Sequence, residues 1–282
     1  MPIQFSQPLV AQHQGGGGFL IKALALGPLG DKSSPVLVFD DFRVRGQPFA
    51  PHPHAGFSAV TYVFENSPAS LRSRDSLGHD VVVGPGGLVW TKAGRGVMHE
   101  ELPAERNREL HGLQLFVNLN AANKFSDPQL LKVESQDVPE WRNEAGDRVR
   151  VVVGSFEGLT SPLPPPAPFT LLDATLRSTI CFPLAADRNA LIYVVDGEAS
   201  VRADGLEKAI AAEQALPIHG GGAVVAIKAT LPTQVVIVSG EAIREPVVVD
   251  GPFIMNDRAQ IAAAFKRFEA GEMGHLLPAS AN

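Results

Sequence analysis

The 282-residue chain holds eight histidines, and they are unevenly placed. His52-Pro53-His54 and His99-Glu100-Glu101 each set two potential ligands at i and i+2. On extended backbone those positions point to the same face, so two strands suffice to aim His52, His54, His99 and Glu101 into one cavity. Three neutral imidazoles with one carboxylate suit a divalent first-row metal, because nitrogen matches its intermediate softness and the carboxylate offsets part of its charge. An ion that prefers six ligands would keep two positions open for water, dioxygen or substrate. By the same parity Glu100 points away from the metal. His13, His79, His111, His219 and His275 lack such pairing and read as surface or hydrogen-bonded residues, and the single cysteine, Cys181, as a small buried hydrophobe. One cysteine forms no internal disulfide, which fits a reducing compartment.

The elements that must position these ligands are strands. Val36 to Phe39, Ser58 to Phe64, Val81 to Val83, Leu113 to Leu119, Val149 to Val153, Leu191 to Val195, Ala223 to Ile227 and Val235 to Val238 are rich in β-branched or aromatic residues. Most are bounded by Gly, Pro, Asn or Asp. The 27 glycines and 23 prolines exceed the usual shares of both, as many short strands joined by turns require. Only the tail departs from this texture. Ile261, Ala264, Phe265 and Phe268 fall at helical spacing, which predicts a helix over Asp257 to Ala270 with Asn256 as N-cap and Gly271 as C-cap.

Five prolines between Pro162 and Pro168 predict a stiff connector, which places a first domain at 1–153, the connector at 154–168 and a second domain with the terminal helix at 169–282. Tyr62-Val63-Phe64-Glu65-Asn66 is echoed 131 residues later by Tyr193-Val194-Val195-Asp196-Gly197. Each runs a strand into a hairpin turn, which points to a duplicated β-barrel. The same offset carries the four ligand positions to Pro183, Ala185, Thr230 and Pro232, none of which binds a metal, so the second domain is expected to be metal-free.

A formal net charge of −6 and the absence of a lysine–arginine run argue against direct nucleic-acid binding. With no basic leader before an apolar core, and no apolar run of membrane-spanning length, the chain is expected to be cytoplasmic and not membrane-bound.

The spacing from Gly46 to His52-x-His54, followed by Pro85-Gly86-Gly87, resembles the opening and closing of the first cupin motif. Phe39-Asp40-Asp41-Phe42, His52-Pro53-His54-Ala55-Gly56-Phe57, Arg74-Asp75-Ser76-Leu77-Gly78, Ala93-Gly94-Arg95-Gly96-Val97-Met98-His99 and Gly251-Pro252-Phe253-Ile254-Met255-Asn256 are similar to segments of the pirin family, across about residues 15 to 275. The resemblance implies an all-β fold of two tandem jelly-roll-like cupin barrels with a C-terminal helix. It also implies one metal ion in the first barrel at His52, His54, His99 and Glu101. Iron(II) is the expected ion, with manganese, nickel, copper and zinc as alternatives. The activity it implies is oxidation of a flavonol or related enol substrate by O2, of the quercetin 2,3-dioxygenase type, with Glu101 doubling as general base. The alternative is a metal- or redox-dependent regulatory protein that binds a protein partner without turnover. Ala55, Ser58 and Asn66 stand where many relatives carry a basic residue, a glutamate and a glycine. They bear on what surrounds the ligands, and Asn66 is expected to tolerate a left-handed turn. Arg95 is a candidate contact for an anionic substrate, set against a surface or turn-packing role.

Overall fold

The computed structural model describes residues 2–279. In chain order the principal strands of the first barrel are β1 (Gln12–Gly16), β2 (Phe19–Ala23), β3 (Val36–Val44), β4 (His52–His54), β5 (Phe57–Val63), β6 (Leu71–Asp75), β7 (Asp80–Val83), β8 (Leu88–Lys92), β9 (Val97–Pro103), β10 (Leu110–Asn118) and β11 (Gln129–Val133). They form a seven-stranded sheet of order β11-β8-β5-β10-β3-β2-β1 and a four-stranded sheet of order β4-β9-β6-β7. β5 lies between β8 and β10 and is buried along its whole length, which explains its near-continuous apolar and aromatic run.

The second barrel is built from β12 (Glu140–Arg142), β13 (Arg148–Val153), β14 (Phe169–Leu176), β15 (Thr179–Leu184), β16 (Arg188–Asp196), β17 (Glu198–Ala203), β18 (Leu206–Ala211), β19 (Gln214–His219), β20 (Ala223–Ala229) and β21 (Thr233–Glu241). Its larger sheet runs β19-β16-β21-β14-β13-β12, with Gln4–Phe5 and Leu9–Val10 added on β19, and its smaller sheet runs β15-β20-β17-β18. The strands β3 to β10 and β14 to β21 therefore repeat one order of pairing. Tyr62 and Tyr193, the anchors of the sequence echo, sit on the corresponding strands β5 and β16. All eight strand-like runs read from the sequence lie wholly or mainly on strands.

The domain limits expected from the sequence do not match the compact units. One unit comprises residues 13–21, 37–135 and 243–282, the other residues 1–12, 22–36 and 136–242. The proline-rich stretch is not a connector between barrels. It links β13 to β14, which are neighbouring antiparallel strands of one sheet, and Ser161 Oγ donates back to Val152 O at 2.8 Å. Prolines serve there because the excursion lies outside the sheet ladders, where a missing N–H costs nothing.

The terminal segment belongs with the first barrel, although it follows the second in sequence. A hairpin of β22 (Val248–Asp250) and β23 (Phe253–Met255) leads into α1 (Arg258–Glu269). Phe253, Met255, Ile261, Ala264 and Met273 form a buried cluster with Ala55. The helix is capped by Asp257, whose side chain accepts from Gln260 N, one residue after the expected Asn256. Gly271 follows the C-cap with φ of 74°, a left-handed value that suits glycine. Cys181 is exposed, contrary to the buried expectation: β15 alternates strictly between outward and inward residues, and Cys181 falls on the outward set.

Candidate metal centre

The two ligand strands are neighbours. β4 and β9 pair antiparallel in the smaller sheet, with His52 opposite His99 and His54 opposite Val97. Period-two alternation then turns His52, His54 and His99 to one face, and one donor atom from each lies within 4.8 Å of the others. His54 and His99 are buried, and His52 is half-buried. His52 Nδ1 lies 2.9 Å from Ala50 O and donates to it, which leaves Nε2 as the lone-pair nitrogen. That Nε2 sits 3.2 Å from His99 Nε2. Two nitrogens bound to one first-row ion at about 2.1 Å would be separated by about 3.0 to 3.4 Å, between right-angle and tetrahedral geometries, so the observed edge fits a shared cation.

The protonation state fits as well. Burial, reinforced by the neighbouring His52, lowers His54 to about 3, with the Pro252 backbone acting in the opposite direction. Burial and the two other imidazoles hold His99 well below the usual histidine range. Near neutral pH both rings are therefore uncharged, each with one nitrogen lone pair to offer, the form a metal requires. Among the described residues, the buried Nδ1 atom of His99 meets no hydrogen-bond partner.

Glu101 occupies a different place from the three rings. It lines the same cavity, but its Oε2 accepts from Thr61 Oγ1 at 2.6 Å, and it is not among the groups clustered within 4.8 Å. Burial pushes its carboxyl up to about 7, while the Thr61 and Ser73 hydroxyls pull the other way. Glu100 points to the opposite side of β9, as parity requires. It is fully buried, takes a 2.8 Å bond from Arg74 Nη1 and one from Ala279 N at 3.0 Å, and also meets Gln47.

The cavity has a volume of about 210 Å³ and lies between the two sheets of the first barrel. The smaller sheet supplies the three histidines, Glu101 and Leu71, and the larger supplies Asp40, Phe42, Gln114 and Phe116. Arg95 does not reach it. That side chain is exposed and paired with Asp127 at 3.1 Å, in keeping with the surface reading. Asn66 does not adopt the left-handed conformation expected of it, and its Oδ1 faces His111 Nδ1 at 3.0 Å. His111 Nε2 faces Asp41 Oδ1 at 2.9 Å, and His79 Nδ1 faces Asp75 Oδ2 at 2.8 Å. Both are hydrogen-bonded residues outside the site.

The terminal segment braces both ligand strands from behind. Ile254 N donates to the carbonyl of Ala55, the residue after His54, and Met98, the residue before His99, donates from its N to Met273 O. Lys124, fully buried, donates from Nζ to Gly56 O at 2.9 Å, Asn118 Oδ1 at 2.6 Å and Ile254 O at 3.1 Å. All three ammonium protons are thereby used. No local pattern in the sequence marked Lys124, Arg74 or the terminal strands as supports for the site.

In the second barrel the strands corresponding to β4 and β9 are β15 and β20, which turn Phe182, Leu184, Val225 and Ile227 inward. All four are buried hydrocarbon side chains in that barrel's core, with no lone pair to offer. The positions that the offset of 131 reaches, Pro183, Ala185, Thr230 and Pro232, likewise offer no side-chain imidazole or carboxylate.

Two cupin barrels in one chain, with a three-histidine donor set in the first, define a bicupin with a candidate metal centre. Residues 28–117 match the family described as Pirin and residues 171–274 match the Pirin C-terminal cupin domain. A pirin-like protein of Arabidopsis thaliana is 35% identical over 246 residues, covering 83% of this chain and 78% of the relative. The chain belongs to the pirin family. A Pseudomonas aeruginosa protein provisionally assigned as a quercetin 2,3-dioxygenase is 28% identical over 269 residues, covering 91% of this chain and 92% of that one. The crystal structure of a quercetin 2,3-dioxygenase from Acinetobacter baumannii shares the fold with a TM-score of 0.85 at 23% identity, covering 98% of this chain and 99% of that one. No helix among the described residues is long and apolar enough to cross a membrane.

Proposed function

We propose that this pirin holds one divalent metal ion, iron(II), at His52, His54 and His99 with Glu101 as the fourth ligand, and oxidises a flavonol or related enol substrate with O2. The observation that carries the reading is the convergence of three imidazoles on a cavity whose remaining wall is largely apolar and aromatic. The names of the Pseudomonas and Acinetobacter relatives point to the same chemistry. An iron ion bound there would supply Lewis acidity toward an enolate and a one-electron couple for O2.

The chain's own residues have separate tasks. Phe42 and Phe116 offer flat apolar surface to a ring system and exclude water from it. Thr61 fixes one oxygen of Glu101, and we assign that carboxylate to receive the proton of the substrate's enolic hydroxyl. Ala50 O orients the His52 ring through Nδ1. Oxygen uptake by the iron-loaded protein with quercetin tests the reading. Uptake is expected to depend on quercetin and to fall at least 100-fold in His99→Ala, together with the bound iron. Absence of uptake across a panel of flavonols by fully loaded protein would refute it.

A further inference from the structure

Two acids line the cavity, and they come from opposite sheets. Glu101 stands on β9 beside the histidines, whereas Asp40 stands on β3 of the larger sheet. Along β3 the alternation sends Asp40, Phe42 and Val44 into the cavity. Phe39 and Asp41 face the other way, where Asp41 meets His111. No hydrogen bond or ion pair holds the Asp40 carboxyl among the described residues, and burial alone pushes it up to about 6. A half-buried acid without a partner weakens the folded state, so its presence on a wall whose only other polar side chain from the larger sheet is Gln114 calls for a ligand that completes it.

We infer that Asp40 is a specificity-determining residue that accepts a hydrogen bond from a hydroxyl group of an aromatic ligand, whose ring packs on Phe42 and Phe116. This rests on reading the cavity as a substrate site, and not on which reaction follows. A neutral donor suits the place better than an amine, because a second cation in about 210 Å³ would be repelled by a divalent ion at the histidines. The carboxylate would exclude an analogue lacking the hydroxyl only weakly, but would favour one that supplies it, since a hydrogen bond to a charged acceptor is among the stronger kind.

The test compares 2-naphthol with naphthalene, ligands that differ by one hydroxyl, by equilibrium binding to the wild-type protein and to Asp40→Leu and Asp40→Asn. Wild type is expected to favour 2-naphthol about tenfold. Asp40→Leu should bring the two affinities within twofold of each other without weakening naphthalene. Asp40→Asn preserves the shape and should lose at least threefold of the preference, which keeps the test decisive even if the leucine variant folds poorly. A wild type without the preference, or variants that retain it in full, would overturn the inference. The dioxygenase reading fails separately: loss of the naphthol preference in the variants, with no oxygen uptake on flavonols by wild type, removes that reaction and leaves the role of Asp40 intact.

Discussion

Replacing Asp40 with asparagine should stabilise the metal-free protein, and only above mildly acidic pH. The folded carboxyl titrates at about 6 and its ordinary value is 3.8. Below 3.8 folded and unfolded chains both carry the proton and Asp40 costs nothing. As pH rises, the unfolded chain ionises first, so folding is penalised increasingly until the folded group also ionises near 6. The penalty is constant above that. A shift of about two units at 1.36 kcal/mol each gives about 3 kcal/mol at pH 8, and only about 1 kcal/mol at pH 4.5. Asp40→Asn removes the charge and keeps the shape. Urea denaturation of both proteins at the two pH values reads the difference directly through the midpoints at equal slope. The expected gain is about 3 kcal/mol at pH 8, shrinking by about two thirds at pH 4.5. Loading a divalent ion should also shrink it, since a nearby cation favours the carboxylate. A gain independent of pH, or a loss at pH 8, would refute the reasoning that the cavity wall leaves this acid uncompensated.

Two further perturbations address the bracing of the ligand strands. Arg74→Met leaves the fully buried Glu100 without its cationic partner and is expected to cost about 3–5 kcal/mol, read by chemical denaturation, with Glu100→Gln in the same chain restoring most of it. Gly56 has φ of +86°, and a Cβ there would overlap the Ile254 carbonyl oxygen. Gly56→Ala should therefore push β23 away from the residues after His54 and reduce metal content, by elemental analysis, to under half of wild type, whereas a variant with full metal content would show that the terminal hairpin does not hold His54 in place.

What could be read without coordinates was what depends on near neighbours along the chain. His52-x-His54 and His99-x-Glu101 declare a shared face because alternation acts over two residues, and Glu100 is turned outward by the same rule. The turn-bounded strands and the terminal helix follow from local patterns of the same kind, with an error of one residue at the N-cap. The barrel duplication showed through Tyr62 and Tyr193 because both are buried on strands paired on both sides, where the apolar pattern is constrained.

Everything that depended on distant pairing came only with the tertiary structure. A cluster of prolines carries no information on whether the strands flanking it separate or pair, and here β13 and β14 pair. The return of residues 243–279 to the first barrel rests on contacts such as Lys124 Nζ to Ile254 O, across 130 residues of sequence. Asp40 was visible as a letter beside Asp41. Which of the two faced the cavity depended on the register of β3 within its sheet, and that is settled by burying Phe39 on one side while Phe42 and Val44 line the other. His52-x-His54 and His99-x-Glu101 announced a candidate metal site by themselves; the second acid, the braces of the strands that carry it and the hydrocarbon plug in the other barrel are products of packing between segments that the chain order keeps apart.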